Sequence, residues 1–245
     1  MKTPVRFLFL ITVFIFLVSG AMGQNMWWGV KGGLNFGTPY GKAEEGATGS
    51  PGVGPRVGFF VRAHVKNRLD LQMEILYSAK GASYGTPVSG DTLYEQELHG
   101  SIYLIPTYYK GWVDGEFDNH YIDFPIMARY QVSKRFFLMC GPQVSYLLKG
   151  SCTGLADITV GENFSHVTDE PYDESGSLNK WDYSLLFATN YELLGGLNFE
   201  LGLSYGLRSI YKDGYDEVDG TYRNIYLDAM IGYRFGDPSP DPFIK

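Results

Sequence analysis

Four polar residues near predicted strand ends, Asp118, His120, Asp182 and Ser184, are of the types from which a hydrolytic site is built. A histidine beside a carboxylate can take up and return a proton, and a serine hydroxyl is the nucleophile it would activate. Strand alternation separates them: His120 falls on the face of Ile122 and Phe124, whereas Asp182 and Ser184 fall on the opposite one. The other histidines, His64, His99 and His166, form no metal-spaced pair. Two acidic stretches, Asp169 to Glu174 and Asp213 through Asp219, carry carboxylates of the kind that collect Ca²⁺, but without the ligand spacing of an EF-hand, and read as solvated loop surface. Cys140 and Cys152 would lie roughly 35 to 40 Å apart on extended chain at ~3.3 Å per residue, against the ~4.4 to 6.8 Å a disulfide spans. They are expected to be unpaired, one an apolar filler and the other an incidental loop thiol. No catalytic, cofactor-binding or metal-ligating residue is expected, and no cofactor.

These residues sit on a chain organised by period-2 alternation. Asn119 to Lys149 reads as two arms joined at Ser133-Lys134. One face of the first arm holds Ile122, Phe124, Ile126, Ala128 and Tyr130, and the other holds Tyr121, Asp123, Pro125, Met127 and Arg129. In the second arm Phe136, Leu138, Cys140, Pro142, Val144, Tyr146 and Leu148 oppose Met139, Gly141, Gln143 and Ser145. At ~13 residues each, the arms exceed the usual five or six and match the ~9 to 11 tilted residues that cross a membrane as a strand. The same pattern predicts strands over Met26–Phe36, Arg56–Lys66, Leu69–Ser83, Trp181–Leu193, Leu197–Tyr211 and Arg223–Phe235. The links between them alternate: Gly37–Pro55, Tyr84–Asp118, Gly150–Lys180 and Lys212–Tyr222 are long, and Asn67-Arg68, Ser133-Lys134 and Leu194-Gly195-Gly196 are short. The long links are read as loops, too polar and too broken by Gly and Pro to be strands. Pro125 and Pro142 lie in mid-strand, where local bulges are expected to absorb them.

An even strand number with alternating short and long links is the pattern of an eight-stranded antiparallel up-and-down transmembrane β-barrel, spanning 24–236. Residues 1–23, with Lys2 and Arg6 before the apolar run Phe7 to Val18 and small residues at Ala21 and Gly23, predict a secretory signal peptide. Residues 237–245, with Pro238, Pro240 and Pro242, predict a short periplasmic tail. The net charge of -7 disfavours a nucleic-acid partner. Alternation alone leaves two orientations open, since the oily face could line a ligand cavity or meet lipid. Two features favour lipid. The mixed face carries Glu74, Asp123, Asp182, Glu200 and Asp228 with Lys31, Arg62, Arg129, Arg208 and Arg234, able to pair across a narrow lumen. The oily face carries Trp28, Tyr77, Tyr130, Tyr146, Trp181, Tyr183, Tyr205 and Tyr233, many toward strand ends. The expected partners are membrane lipid around the wall and a protein or glycan at the long loops, where Tyr103, Tyr108, Tyr109 and Trp112 cluster.

Five segments resemble the PorT-like outer-membrane β-barrel proteins. They are Gly29 to Phe36 (GVKGGLNF), Leu71 to Gly81 (LQMEILYSAKG), Tyr121 to Ile126 (YIDFPI), Phe136 to Gln143 (FFLMCGPQ) and the closing Gly232-Tyr233-Arg234-Phe235. The resemblance implies an outer-membrane barrel with a structural, interaction or secretion-accessory role and no catalysis. The alternatives are a small passive pore and a hydrolase sited at the barrel rim. Such barrels commonly stop at the final aromatic, whereas here the chain continues past Phe235.

Overall fold

The computed structural model describes residues 26–41, 45–98, 101–161, 165–212 and 222–236. The expected signal peptide, the tail, His99 and the acidic run 213–219 lie outside these residues. Among the described residues there are nine strands: β1 Met26–Tyr40, β2 Thr48–Lys66, β3 Leu69–Leu98, β4 Ser101–Gln131, β5 Phe136–Val160, β6 Ser165–Asp173, β7 Trp181–Glu192, β8 Leu197–Gly206 and β9 Arg223–Phe235. Eight of them close a ring: β1 pairs with β2, β2 with β3, and so on through β5, β7, β8 and β9, and β9 returns to β1. Every pairing is antiparallel. Closure leaves no free edge in the ring, which lipid demands because unpaired N–H and C=O groups there find no water. β6 stands outside the ring and pairs only with the far end of β5.

The wall faces as the charges suggest. Lys31, Arg56, Arg62, Glu74, Asp123, Arg129, Glu200 and Asp228 are buried, while Trp28, Phe59, Leu138, Phe187, Leu201, Leu227 and Ile231 are exposed. The oily face therefore meets lipid. Its aromatics form two belts, Trp28, Tyr130 and Tyr233 near the short turns and Tyr77, Tyr146, Trp181 and Tyr183 at the other end. The turns are built for tightness: Asn67 takes a left-handed φ of 52°, and Gly195 and Gly196 take φ of 78° and 89°. Short turns belong on the periplasmic side, so the long connections face outward.

Three of those connections are largely strand among the described residues. β1 runs on to Tyr40 and β2 starts at Thr48, while β3 and β4 extend past the barrel and stay paired from Gly81↔Asp118 to Leu98↔Ser101. β5 continues to Val160 and turns into β6. The Gly, Ser and Thr that read as loop residues are held by a neighbour's ladder, and context of this kind overrides the weak intrinsic β-propensity of such segments. In the other direction β8 stops at Gly206, short of the expected Tyr211, which removes Arg208 from the lumen wall.

The proline bulges are a second correction. Around Pro125 and Pro142 the ladder skips two residue pairs, between Met73↔Ile126 and Leu76↔Asp123 and between Pro125↔Gln143 and Ala128↔Cys140, but the count on both strands stays equal. Missing donors are tolerated there without a shift. Bulges occur where β2 leaves the barrel, between Pro51 and Arg56, and on β5 opposite His120 and Tyr121, where Leu148 is the extra residue.

Candidate functional site

The residues that could form a rim hydrolase are not brought together. His120 lies on the outer surface, its Nδ1 2.6 Å from the Tyr77 hydroxyl and its Nε2 3.2 Å from an Asp118 oxygen. Asp182 faces the lumen and accepts from Asn224 Nδ2 at 2.7 Å, and Ser184 shares a hydroxyl contact with Ser204 at 3.3 Å. The wall stands between the two pairs. His64 sits near the periplasmic mouth with Nδ1 2.9 Å from Asp70. Among the described residues no three His, Cys, Asp or Glu side chains come close enough to hold a metal ion.

The lumen is filled by paired charges in two bonded groups, one around Arg56 and one running from Lys31 to Arg129. At its centre the Arg56 guanidinium meets Asp228 at 2.5 Å and Asp123 at 3.2 Å, and donates to Gln143 at 2.7 Å. Lys31 bridges Glu74 at 2.6 Å and Glu200 at 2.7 Å. Toward the periplasm Arg129 holds Asp70 and Glu192, each at 2.8 Å, and Arg62 holds Glu192 at 2.5 Å and Gln72 at 2.9 Å. Toward the outside Lys80 reaches Asp123 at 3.4 Å and lies 4.5 Å from the centre of the Tyr121 ring. Withdrawing such ions from water costs several kcal/mol each, and only mutual pairing offsets it. The arrangement can hold eight strands around a solid axis.

Above the lumen the interior changes character. Ala82, Phe117, Tyr121, Leu147, Cys152, Leu178, Ile210 and Tyr211 pack into an apolar cap, with Tyr84 and Tyr222 against it. The cap is strapped across the mouth by Asn179, whose Nδ2 donates to the carbonyls of Ser209 and Tyr211 at 3.0 and 2.6 Å. Cys152, expected to be a loop thiol, is 0% exposed at its centre. Three phenolic hydroxyls surround its Sγ, from Tyr84 at 3.5 Å, Tyr172 at 3.7 Å and Tyr211 at 3.8 Å. The reason is the bulge at Leu148: one inserted residue reverses the parity of everything beyond it on β5, so Cys152 turns inward although Cys140 points to lipid. Both cysteines are free. Burial pushes the Tyr84 and Tyr172 phenols well above the usual tyrosine range; at Tyr84 its bonds to Cys152 and Tyr172 add to the rise, whereas at Tyr172 the bond to Tyr84 opposes it.

Outside the cap, β2 to β6 form a projecting sheet. Cross-strand pairing sets Ser50, Ser83, Glu116, Thr153 and Asp173 in one outward row, and Thr48, Gly85, Asp114, Leu155 and Pro171 in the next. A groove of about 580 Å³ runs over these rows between β2 and β5. The Trp112 indole donates to Asp114 Oδ1 at 2.9 Å. Asp173 is held below the usual carboxylate range by the Ser175 side chain and then by its amide, which donates at 2.9 Å. Period-2 reading named Trp112 as a loop aromatic and missed Gly85, Asp114 and Glu116, because a face becomes visible only once the strand and its partners are known.

The sequence profile of the family described as "Outer membrane protein beta-barrel domain" matches residues 22–212. No curated protein matches the chain. Among solved structures, the attachment invasion locus protein Ail of Yersinia pestis, in complex with the heparin analogue sucrose octasulfate, is similar at 12% identity and a TM-score of 0.39, covering 86% of this chain and 99% of that one. Neisserial surface protein A is similar at 10% identity and a TM-score of 0.35, covering 86% and 97%. The translocator domain of the autotransporter NalP from Neisseria meningitidis is similar at 11% identity and a TM-score of 0.29, covering 96% and 98%.

Proposed function

The chain belongs to the outer membrane protein β-barrel domain family, and from that premise we propose that it is a non-catalytic interaction protein of the outer membrane, working through the sheet that projects outward and not through its lumen. The observation that carries this reading is the contrast between a lumen closed twice, by paired ions and by an aromatic cap, and a sheet whose β3–β4 hairpin runs roughly 60 Å beyond the barrel at ~3.3 Å per residue. Exposed Leu93, Ile102, Leu104 and Tyr108 lie toward its end, far above the lipid. Side chains of this kind on an exposed surface mark contacts with a protein or a glycan. Contact by strand addition along β6 is disfavoured, since Pro171 lacks a donor and Asp169 takes a left-handed φ of 56°. The PorT-like assignment, with a secretion-accessory role, remains our reading of the five segments; so do an exported chain cut after residue 23 and a periplasmic tail at 237–245.

The test is replacement of residues 86–110 by a short turn, followed by planar-bilayer recording and surface crosslinking. The shortened protein should keep its heat-modifiable gel mobility and lose its crosslinked partners, and neither form should conduct. Steady conductance of the intact protein would favour the passive pore. Unchanged crosslinking would move the contact elsewhere.

A further inference from the structure

The groove over the projecting sheet has a lining with a definite chemical bias. Ser83 and Thr153 offer exposed hydroxyls, and Asp114 and Glu116 project from alternate positions of β4 into the same space. None of its lining residues is a cation. Ionised carboxylates only accept hydrogen bonds, so a ligand here must bring donors, and sulfate, phosphate or carboxylate groups would be repelled. The Trp112 indole borders the groove beside Gly85 and Asp114. A methyl group placed on Gly85 would come within 2.7 Å of the Trp112 ring, 2.8 Å of Asp114 and 2.9 Å of the Thr48 hydroxyl, so the missing side chain at Gly85 leaves the room in which these three pack at the edge of the groove. An indole beside two acceptor carboxylates and a row of hydroxyls suits the two sides of a pyranose ring, C–H groups on one side and hydroxyls on the other.

We propose that this groove is a saccharide-binding site for neutral or amino-bearing sugars, with Trp112 as the stacking platform and Asp114 and Glu116 as acceptors from ligand hydroxyl or ammonium groups. The proposal rests on the reading that the projecting sheet is the working part of the protein, and it names the ligand class. A divalent cation is the weaker occupant, because no third ligating side chain joins the two carboxylates among the described residues. The sugar has two sources, a free saccharide outside the cell or the sugar portion of glycolipid in the surrounding leaflet, since the groove stands on the outer side of the wall above the upper aromatic belt.

The experiment uses the full-length mature protein in phospholipid nanodiscs, titrated calorimetrically with chitobiose, glucosamine, a sulfated disaccharide and an oligolysine peptide. A second arm reconstitutes it with purified lipopolysaccharide and reads hydrogen-exchange protection at residues 83–85 and 112–116. Chitobiose or glucosamine binding in the first arm identifies a free-sugar site, and protection in the second identifies the membrane's own glycolipid; either supports the proposal. Trp112→Ala and Asp114→Asn should each weaken binding at least about tenfold, and Gly85→Ala should weaken it by displacing the indole, all with the gel mobility of a folded barrel. The proposal is overturned if the sulfated sugar binds as tightly, if Trp112→Ala has no effect, if only oligolysine binds, or if neither arm responds. A silent groove together with hairpin-dependent crosslinking would overturn the sugar assignment alone and leave the interaction reading in place.

Discussion

The lower and upper halves of this molecule use one continuous ladder in opposite senses. In the membrane, β4 turns Asp123 and Arg129 inward and Ile126 and Tyr130 outward; above it the same strand turns Phe117 and Val113 inward and Asp118, Glu116 and Asp114 outward. Backbone pairing does not change across the border, since β3 and β4 stay in one register from Leu69↔Tyr130 to Leu98↔Ser101. What changes is the solvent. Lipid outside the lower half makes apolar side chains the cheap outer surface and drives the unavoidable polar residues into the lumen, where they must pair. Water outside the upper half restores the ordinary arrangement, with an apolar interior and charged exterior. Sidedness here follows the surrounding medium and the residues chosen for it, not the strand geometry.

The largest effect that would test this contrast is at the centre of the lumen. Arg56→Ala removes the partner of Asp228 and the nearer of the two cations at Asp123, leaving Asp228 buried and uncompensated, which should cost about 3–5 kcal/mol. Urea titration of the barrel in lipid, followed by its gel-mobility shift, measures the loss; a change within error would mean that water reaches the lumen. Next in size is a charge on the outer wall. Leu201→Arg, at a position 65% exposed to lipid in mid-strand, should cost about 2–4 kcal/mol. The same arginine at Thr153, outward on β5 but above the lipid, should cost almost nothing. Equal costs at the two sites would erase the distinction between the halves. Smaller again is the cap: Leu178→Ala should cost about 2 kcal/mol, because a rim strap can partly collapse into the space it leaves. It should do so without altering unfolding of the lower half.

The two halves also differed in how far they could be read from sequence. In the lower half, alternation puts Lys31, Glu74, Asp123 and Arg129 on one face, and the opposite charges gathered there with aromatics on the other face give its direction, because lipid on one side and a narrow lumen on the other impose a strict period of two. The eight barrel strands are legible for the same reason, although β8 ends earlier than its pattern. In the upper half both faces meet water or a small cap, so Ser, Thr and Gly are acceptable on the outside and segments such as 48–55 and 84–118 look like loops. An inserted residue is invisible to a periodic reading, and the bulge at Leu148 therefore hides the burial of Cys152. The groove was illegible for a further reason: Gly85, Asp114 and Thr153 come from three strands, and only the register brings them side by side.

The smallest effect discriminates the halves without disturbing either. Burial holds Tyr84 and Tyr172 in the cap protonated, so folding favours their neutral form. Below the unfolded tyrosine value of ~10 both states are neutral and this contribution is fully present; as pH rises past ~10 the opened cap can ionise while the closed one resists, and the contribution is lost. Phenolate absorbance should therefore rise in two phases in the folded protein, the exposed tyrosines near the ordinary value and the cap tyrosines later, and in one phase in urea. Cys152 supplies the local readout. After brief exposure to alkaline pH and return to neutral with a thiol reagent present throughout, it should label only where the second phase has begun, whereas Cys140, facing lipid, should label with apolar reagents at every pH. Labelling of Cys152 before the second phase would mean that the mouth opens without ionisation of its tyrosines, and the upper half would then be a lid that moves instead of a packed cap.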